Sequence, residues 1–376
     1  MKAVILAGGF GTRLRPLSCT RPKLIFPIAN RPLLDLTLSR LAEHGVKETI
    51  LAVNFMADTL EHVFGSSRFG MKIHYSKDVI PNTQAKAKAG SPKSLGTGGA
   101  IKQAESLLDD KEPFLALNGD ILTNADYSAI VETHRKLESL ATLALRRVKN
   151  PSRYGVVRLQ DGSYISEFVE KPSSGAPSNL ANAGIYVFEP QVLKLIPKSQ
   201  SCSIEREIFP KLARKRRLVG HEIRGLWVDV GKPSDYIKAN KLWLNAQSRT
   251  HQNPMKTGIE GSVKLKKAVA IGEDVKIKGG AIIGPNVSLG KKVCVGSGVK
   301  IRDSIIFPRT IISDYSIVEG TVIGEAAVIG KRVRTREGCL IGDNTIIHDN
   351  VTLAKDVKIC PSKEIFDDIV DSGCVI

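Results

Sequence analysis

The sequence predicts an α/β domain with a mostly parallel sheet, followed by a second domain in which short strands wind into a β-helix. Two observations carry this prediction. In the first half, apolar runs of strand length alternate with segments of helical periodicity, which is typical of a parallel sheet covered by helices. In the last third, large apolar residues recur every six positions. One inward side chain per six residues is the pattern of a triangular coil whose turns stack.

The elements of the α/β half follow from these runs. Predicted strands lie at residues 3–6, 49–53, 113–117 and 140–145. Segments with helical spacing lie between them, at residues 33–44, 56–64, 98–108 and 125–138. Further strands are predicted at 154–159, 164–170 and 181–188, as a mixed addition to the sheet, and a closing helix at 233–247. We therefore expect a Rossmann-like sheet with helices on both faces.

The polar stretch 246–258 contains Pro and Gly and separates the two patterns. We predict an α/β domain at 1–245, a linker at 246–258 and a β-helix domain of about five coils at 259–376. The large residues predicted to point inward are Leu265, Ile271, Ile277, Ile283, Leu289, Val295, Ile301 and Phe307. After a slip of register they are Ile311, Ile317, Ile323, Ile329, Ile341, Ile347, Leu353 and Ile359, with Thr335 as the exception.

Composition narrows the class of protein. The 376 residues carry 55 Lys and Arg against 38 Asp and Glu, a net charge of +17, which attracts anionic small molecules. Nucleic acid is not an expected partner, because aromatic residues make up only 5% of the chain and base stacking needs such rings. No apolar run approaches the ~20 residues of a membrane span, and the first strand leaves no room for a signal peptide. The six cysteines form no C-x-x-C pair. We expect a cytoplasmic protein without a membrane partner.

A glycine-rich loop follows the first strand. The run Gly-Gly-Phe-Gly at 8–11 lets the backbone bring its N–H groups against a ligand. Thr12 adds a hydroxyl donor, and Arg13 and Lys23 add two positive charges, a combination that suits a polyphosphate. The loop is not a P-loop, because no Gly-Lys-Ser/Thr is present, and not a dinucleotide fingerprint, because Leu14 stands where that motif needs glycine.

The stretch LAGGFGTRLRPLSCTRPKLIFPIANRP at 6–32 resembles the signature of the sugar-1-phosphate nucleotidylyltransferases. Two later stretches, SLGTGGA at 94–100 and FLALNGD at 114–120, resemble further segments of that family. The resemblance implies a set of nucleotide-binding residues: Leu6, Ala7, Gly8, Gly9, Gly11, Thr12, Arg13, Lys23, Gly96, Thr97, Asn118 and Asp120.

Two aspartates are candidate metal ligands. Asp120 comes just after a buried strand, where parallel sheets bind their ligands, and Asp229 follows another apolar run in LWVDVG at 226–231. Mg²⁺ prefers one or two carboxylates together with phosphate oxygens and waters. The two side chains can share one Mg²⁺ only if their strands converge, which the sequence does not show and the resemblance implies. With Arg13 and Lys23, they form the predicted catalytic set.

Three segments resemble the family's sugar-phosphate side. They are Tyr-Gly-Val at 154–156, Phe-x-Glu-Lys-Pro at 168–172 and Asn-x-Gly at 182–184. The implied sugar-phosphate-binding residues are Tyr154, Gly155, Glu170, Lys171, Asn182 and Gly184. In this interpretation Glu170 hydrogen-bonds sugar hydroxyls and Lys171 neutralises the sugar phosphate. Residues 203–207, Ser-Ile-Glu-Arg-Glu, are typical of a capped helix start.

The implied reaction joins two polyanions. A sugar-1-phosphate oxygen attacks the α-phosphorus of a nucleoside triphosphate in line, and pyrophosphate leaves. The barrier is largely repulsion and positioning, and no general base is needed because the phosphate oxygen is already a nucleophile. The resemblance implies that Arg13 holds the pyrophosphate, Lys23 the transferring phosphate and Lys171 the attacking phosphate.

Within the family, the segments at 148–157 and 225–240 most resemble the mannose-1-phosphate guanylyltransferases, which implies GTP and mannose 1-phosphate as substrates and GDP-mannose as product. Glucose-1-phosphate uridylyl- or thymidylyltransferases share the same motifs and stay open as alternatives. A polar, lysine-bearing insertion at 79–93 occupies the place that would meet the base, and no guanine pocket is recognisable there. Guanine therefore follows from the resemblance alone.

A non-catalytic function is the remaining alternative. Certain subunits of a eukaryotic translation-initiation exchange factor share the two-domain architecture and act as scaffolds. Such a scaffold has no reason to keep Arg13, Lys23, Asp120, Lys171 and Asp229 together, so an enzyme is favoured. The repeats resemble the left-handed β-helix of hexapeptide-repeat proteins, and we expect this domain to form a homo-oligomer. An acyltransferase would need a catalytic histidine, and His348 is the only histidine in the repeats.

Overall fold

The computed structural model describes residues 1–54, 56–77, 95–198, 200–247 and 258–375. Its contacts divide the chain into two compact units. The first comprises Met1–Gly9 and Leu34–Trp227, and the second comprises Phe10–Leu33 and Val228–Ile376. The linker predicted at 246–258 and the insertion predicted at 79–93 lie largely or wholly outside the described residues. The domain boundaries predicted from the sequence stay a prediction.

The first unit is built on a ten-stranded sheet. The strands up to residue 229 are β1 (Lys2–Leu6), β2 (Pro27–Ile28), β3 (Arg31–Pro32), β4 (Glu48–Val53), β5 (Ser67–Arg68), β6 (Met71–Lys77), β7 (Phe114–Asn118), β8 (Ile121–Thr123), β9 (Ala141–Arg147), β10 (Gly155–Gln160), β11 (Tyr164–Glu170), β12 (Leu180–Phe188), β13 (Leu218–Glu222) and β14 (Trp227–Asp229). The sheet has the order β10-β11-β13-β9-β12-β7-β1-β4-β6-β5. Strands β7, β1, β4 and β6 are parallel neighbours, whereas β12 is antiparallel to both β7 and β9. The parallel centre with a mixed extension is the predicted arrangement.

The helices are α1 (Leu33–Glu43), α2 (Ala57–Phe64), α3 (Gly96–Gln103), α4 (Tyr127–Leu137), α5 (Phe209–Arg214) and α6 (Pro233–Gln247). Apart from α5, which was not predicted, the helices start within two residues of the predicted starts, and the bounds of α6 are those predicted. The helix predicted at 98–108 ends earlier, at Gln103. A turn of π-helix, Ile204–Ile208, precedes α5 and begins at Ser203, whose side chain accepts a hydrogen bond from the N–H of Arg206, so the predicted cap is confirmed. None of the described helices combines the length and hydropathy that a membrane span needs.

The C-terminal region forms three parallel sheets, consistent with the predicted left-handed β-helix. Its strands are β15 (Lys264–Leu265), β16 (Val269–Ile271), β17 (Lys276–Ile277), β18 (Ile282–Ile283), β19 (Val287–Leu289), β20 (Cys294–Val295), β21 (Lys300–Arg302), β22 (Ile305–Ile306), β23 (Ile311–Ile312), β24 (Ile317–Glu319), β25 (Val322–Ile323), β26 (Val328–Ile329), β27 (Arg334–Thr335), β28 (Leu340–Ile341), β29 (Ile346–Ile347), β30 (Thr352–Leu353), β31 (Lys358–Ile359), β32 (Glu364–Ile365) and β33 (Cys374–Val375). Up to β32, each of these strands from β18 onward pairs with the strand three places earlier, one coil below. The inward side chains share one apolar core, but Leu265, which was predicted to point inward, is 41% exposed and lies outside this core.

The predicted register is wrong at three positions. The residues inside the helix are Ile306, Ile312 and Val318, each fully buried in that core, and not their neighbours at 307, 311 and 317. Ile311 is 44% exposed. The cause is two sides of the coil, from 301 to 306 and from 318 to 323, that are each one residue shorter than the six-residue repeat. Since side chains alternate between the faces of a strand, a single missing residue turns the pattern over.

Candidate active site: two groups of residues

The carboxyl ends of three strands meet in the first unit. The N–H of Ala7, just beyond β1, donates to the carbonyl of Ala52 in β4 over 2.8 Å. The N–H of Gly119, just beyond β7, donates to the carbonyl of Leu6 over 3.0 Å. Asp120 therefore follows directly on the edge of a parallel sheet where ligands bind. Of the predicted glycines, Gly8 belongs to the same edge.

Glu170 occupies the space that a side chain at position 155 would need. A Cβ added to Gly155 would lie 2.6 Å from Glu170 Oε2 and 2.5 Å from Phe168 Cζ. The Lys171 ammonium lies 3.4 Å from Glu170 Oε1. Burial raises the pKa of Glu170; Lys171 works against this rise and Glu205 adds to it. The structure thus brings three predicted sugar-side residues, Gly155, Glu170 and Lys171, together.

Glu205 is the residue that sequence reasoning missed. It had been seen only as part of a helix start, yet its Oε2 accepts hydrogen bonds from Thr97 Oγ1 at 2.6 Å and Ser203 Oγ at 2.7 Å. The N–H of Ile204 in turn donates to Thr97 Oγ1 over 3.1 Å. Thr97, predicted to bind nucleotide, is therefore also a support for the segment that carries Glu205. Gly96 packs beside it, since a Cβ there would lie 2.5 Å from the carbonyl oxygen of Cys202.

Three carboxylates of the first unit act electrostatically on the buried hydroxyl of Tyr186. Tyr186 is fully buried, and its hydroxyl accepts a hydrogen bond from Asn182 Nδ2 over 2.9 Å. Burial raises the pKa of Tyr186 well above its ordinary value, and Glu205, Glu170 and Asp120 raise it further. We call Asp120, Glu170 and Glu205, which all act electrostatically on this hydroxyl, the acidic cluster.

A buried amide lies beside this cluster. Gly184 has a φ of +72°, and a Cβ there would lie 2.8 Å from Asn118 Nδ2, so only glycine fits against that amide. The N–H of Gly184 donates to Asn182 Oδ1 over 3.0 Å. Asn118 Oδ1 is buried and has no hydrogen-bond partner among the described residues. An acceptor in this state fits a hydroxyl or N–H group of a ligand, because leaving it unpaired costs about 1–3 kcal/mol.

An aromatic pair, Tyr154 and Trp227, connects the Tyr-Gly-Val motif to the other sugar-side segments. The rings of Tyr154 and Trp227 pack edge to face with centroids 5.4 Å apart. Trp227 Nε1 donates to the carbonyl of Ala183 over 2.9 Å, and the N–H of Lys171 donates to the carbonyl of Tyr154 over 3.1 Å. All six predicted sugar-phosphate residues thus belong to one continuous set of contacts within the first unit.

The second unit holds the cations of the signature, on a stretch we call the signature segment, Phe10–Leu33. Gly11 has a φ of +60°, and a Cβ there would lie 3.3 Å from Ser18 Cβ and 3.8 Å from Lys23 Cβ. Ser18 Oγ closes the turn by donating to the carbonyl of Gly11 over 2.7 Å. Arg13 lies in the short 3-10 turn Thr12–Leu14 that starts immediately after Gly11. The structure therefore brings the glycine turn and Lys23 together.

The predicted metal pair is divided between the units. Asp120 belongs to the first unit, and Asp229, at the end of β14, belongs to the second. The Asp229 carboxyl lies against Gly231, where a Cβ would be 3.3 Å from Oδ1. The convergence of the two carboxylates stays a prediction. Within the described part of the chain, no group of three or more His, Cys, Asp or Glu side chains is arranged to hold a metal by itself.

Comparisons with known proteins agree with the resemblance that the motifs indicate. Residues 2–246 match the family model described as nucleotidyl transferase, and residues 265–375 match the one described as the GMPPB C-terminal domain. The mannose-1-phosphate guanylyltransferase catalytic subunit beta of Danio rerio is 33% identical over 386 residues, covering 100% of both chains. Its counterpart from Dictyostelium discoideum is 36% identical over 261 residues, covering 69% of this chain and 68% of its own. The crystal structure of a UDP-glucose pyrophosphorylase in complex with UDP-glucose shares the fold, with a TM-score of 0.55 and 24% identity, and covers 65% of this chain and 98% of its own.

Proposed function

The chain belongs to the nucleotidyl transferase family of sugar-1-phosphate nucleotidylyltransferases, and we propose that it transfers GMP from GTP to mannose 1-phosphate, forming GDP-mannose and pyrophosphate. One observation carries the reaction class. The first unit brings the predicted sugar-side residues together beside the acidic cluster and the buried Asn118 Oδ1, which has no hydrogen-bond partner in the part of the chain that the structure describes. Carboxylates and amides are acceptors for the hydroxyls that crowd a sugar. The choice of GTP and mannose 1-phosphate rests on the relatives' names.

The roles proposed for the side chains follow their charge. Glu170 accepts hydrogen bonds from sugar hydroxyls, and Lys171 beside it neutralises the sugar phosphate as that phosphate attacks. Arg13 binds the departing pyrophosphate and Lys23 binds the transferring phosphate. Cationic groups at these points stabilise charge that develops in the transition state, which is the main contribution a protein makes to phosphoryl transfer.

The family uses a divalent metal ion. We propose Mg²⁺ as the ion and Asp120 and Asp229 as its protein ligands. The donor chemistry fits, because both are carboxylates and Mg²⁺ usually takes only one or two of these, the rest of its ligands being phosphate oxygens and waters. When bound, the ion reduces the repulsion between the two phosphate groups.

We propose that residues 1–245 act as the catalytic domain and residues 259–376 as an oligomerisation domain. One outer face of the β-helix supports the second proposal. On this face, successive strands present Lys276, Cys294, Ile311, Val328, Ile346 and Glu364. Ile311 and Ile346 are 44% and 39% exposed.

A two-fold axis perpendicular to the β-helix axis would place Lys276 of one copy opposite Glu364 of the other, with the apolar rows between them. The variant Ile311→Glu should then lower the molar mass measured by light scattering. Lys300→Glu, on a different face, should leave it unchanged. Equal masses for all three proteins would contradict this choice of face.

The proposed activity is tested by a pyrophosphate-release assay that pairs GTP, UTP, dTTP and ATP with mannose 1-phosphate and glucose 1-phosphate. We expect GTP with mannose 1-phosphate to give the highest kcat/KM. A preference for UTP or dTTP with glucose 1-phosphate would point to the alternative enzymes. No turnover with any pair would favour the scaffold. Arg13→Ala and Asp229→Ala should each abolish most turnover without unfolding the chain, and near-normal activity in both would refute their roles.

A further inference from the structure

The signature segment is fastened to the β-helix by a buried arginine. Arg21 Nη2 lies 2.6 Å from Glu325 Oε2 and 2.6 Å from Asp343 Oδ2, both on corner turns of the β-helix. Thr20 Oγ1 donates to the same Asp343 Oδ2 over 2.6 Å. The Arg21 side chain is only 16% exposed and that of Asp343 only 6%. Its guanidinium also lies over the ring of Phe307, 5.2 Å from the centroid.

Electrostatic attraction holds the Arg21 guanidinium to the carboxylates of Asp343 and Glu325. Burial lowers the pKa of the Arg21 guanidinium, but Asp343 and Glu325 together outweigh it and raise the pKa overall. Removing one member of such a buried group leaves its partners with uncompensated charge, which is costly. Arg21 is two residues before Lys23 and belongs to the same segment as the turn that carries Arg13. The ionic contact therefore acts on the stretch that holds both phosphate-binding cations.

Two neighbouring corners of the β-helix show what is unusual about Asp343. Asp343 Oδ1 accepts a hydrogen bond from the N–H of Glu325 over 2.7 Å. Asp349 Oδ1 accepts one from the N–H of Lys331 over 2.7 Å, in the same arrangement one corner further along the chain. Both aspartates thus stitch adjacent coils together. Of the two, it is Asp343 that also accepts hydrogen bonds from the signature segment among the described residues, from Thr20 and Arg21.

Other contacts fix the same segment from its C-terminal side. The ring of Phe26 packs against Phe307 and Tyr236, with centroids 6.0 Å and 5.4 Å apart. Asn30 Nδ2 donates to the carbonyl of Leu289 in the β-helix over 2.8 Å. Lys23 lies between these contacts and Arg21 in sequence, so the segment is held on both sides of its catalytic lysine by C-terminal residues.

We propose that Arg21, through Asp343 and Glu325, is a positioning residue that makes the β-helix part of the phosphate-binding machinery. This inference rests on the proposed function. The β-helix then sets the place of the Gly11 turn and of Lys23, and loosening the Arg21 contact misplaces them. A displacement of about 1 Å is enough to cost about 10²-fold in rate.

The test compares Asp343→Asn with the matched control Asp349→Asn. Asparagine keeps the side-chain oxygen that accepts the coil's N–H, so both variants keep this hydrogen bond and lose one negative charge, a buried one at Asp343 and an exposed one at Asp349. We expect Asp343→Asn to lower kcat tenfold or more and to weaken binding of Mg²⁺-tripolyphosphate, a probe of the phosphate site measured by calorimetry. The KM for the sugar phosphate should stay unchanged, because the first unit binds the sugar. Asp349→Asn should match the wild type in all three measurements.

Substitutions of Arg21 provide a second route should Asp343→Asn fail to fold. Arg21→Lys keeps the charge without the forked geometry and should retain more activity and tripolyphosphate binding than Arg21→Met. Equal losses in Asp343→Asn and Asp349→Asn, or Arg21→Met behaving as wild type, would overturn the inference while leaving the proposed function intact. A wild-type chain that neither turns over substrate nor binds tripolyphosphate would overturn both.

Discussion

The two compact units differ in the predicted functional side chains that they carry: carboxylates predominate in the first, whereas the second holds two cations and one carboxylate, Asp229. In the first unit three carboxylates, Asp120, Glu170 and Glu205, act on one buried tyrosine, with Lys171 as their cationic neighbour. In the second, the signature segment carries Arg13 and Lys23. Carboxylates suit sugar hydroxyls and a metal ion, whereas cations suit phosphates. The comparison teaches that the residues proposed for the sugar and the cations proposed for the phosphates are supported by different cores, one a sheet and one a β-helix.

The largest expected effect is the loss of either predicted metal ligand. Asp120→Asn in the first unit and Asp229→Asn in the second should each lower kcat by about 10²–10³-fold, because a group that stabilises developing charge is removed. Titrating Mg²⁺ in the pyrophosphate-release assay checks this, since both variants should need more metal for half-maximal rate. Asp126→Asn is the control: Asp126 caps α4 by accepting the N–H of Ala129, a role that asparagine keeps.

If only one of the two variants loses activity, only one unit supplies a metal ligand, and the metal then belongs to that unit alone. A full loss in both supports carboxylates from both units. Normal metal dependence in both would contradict the assignment of Asp120 and Asp229.

The second effect concerns the core beneath the signature segment. A Cβ added to Gly290 would lie 2.6 Å from the backbone nitrogen of Pro308 and 2.9 Å from the carbonyl carbon of Phe307. Gly290→Ala should therefore lower the free energy of unfolding by about 1–3 kcal/mol, as overpacking does. Because Phe307 packs against Phe26 of the segment, turnover should fall as well.

Chemical denaturation and the turnover assay on the same samples measure both effects. Gly261→Ala is the matched control, since a Cβ there would meet nothing within 4 Å. A Gly290→Ala variant that is destabilised but keeps full turnover would show that the β-helix core does not affect the proposed phosphate site.

Much of the fold could be predicted because periodicity is a local property. The helix at 233–247 and the strand at 164–170 have the predicted bounds, since flanking residues mark where apolar spacing begins and ends. The short strands β2, β3, β5 and β8 were missed, and so were the longer strands β6 and β13. Strand β6 contains Lys72, His74 and Lys77 among its seven residues, which dilutes the apolar pattern. The predicted register of the β-helix is wrong only next to the two coil sides that are one residue short. Periodicity does not show at which position a residue is missing.

The candidate site was predictable only as far as its motifs are contiguous. The motif resemblance placed Glu170, Lys171 and Gly155 in one group, and the structure brings them together. Glu205 was not named, because its place depends on a hydrogen bond with Thr97, 108 residues away in the chain. The grouping of Phe10–Leu33 with the β-helix was also beyond reach, since it depends on contacts such as that between Arg21 and Asp343.

The third prediction tests the acidic cluster by pH. Burial raises the pKa of Glu170, so this carboxyl gains a proton at a higher pH than an ordinary glutamate as the solution is acidified. The KM for the sugar phosphate should rise as pH falls through that pKa, because a protonated carboxyl accepts fewer hydrogen bonds. Glu170→Gln should raise that KM about tenfold, the equivalent of one hydrogen bond to a charged group, and remove the pH dependence.

Glu167→Gln is the control on the same strand. Glu167 is exposed and paired with Arg158, and its loss should leave the KM and its pH profile unchanged. An unaltered pH profile in Glu170→Gln would mean that another group titrates.

The smallest expected effect is a difference between the two units in how much stability each loses in acid. Burial lowers the pKa values of His44, His134 and His221, all in the first unit. Below the ordinary histidine pKa of about 6.5, the unfolded chain therefore binds more protons than the folded one, so the free energy of unfolding falls as pH decreases. Hydrogen exchange at pH 7.5 and 5.5 should show the first unit losing more protection than the β-helix. His221→Gln should reduce this difference and His348→Gln, on the exposed β-helix surface, should not; equal losses in both units would place the acid sensitivity elsewhere.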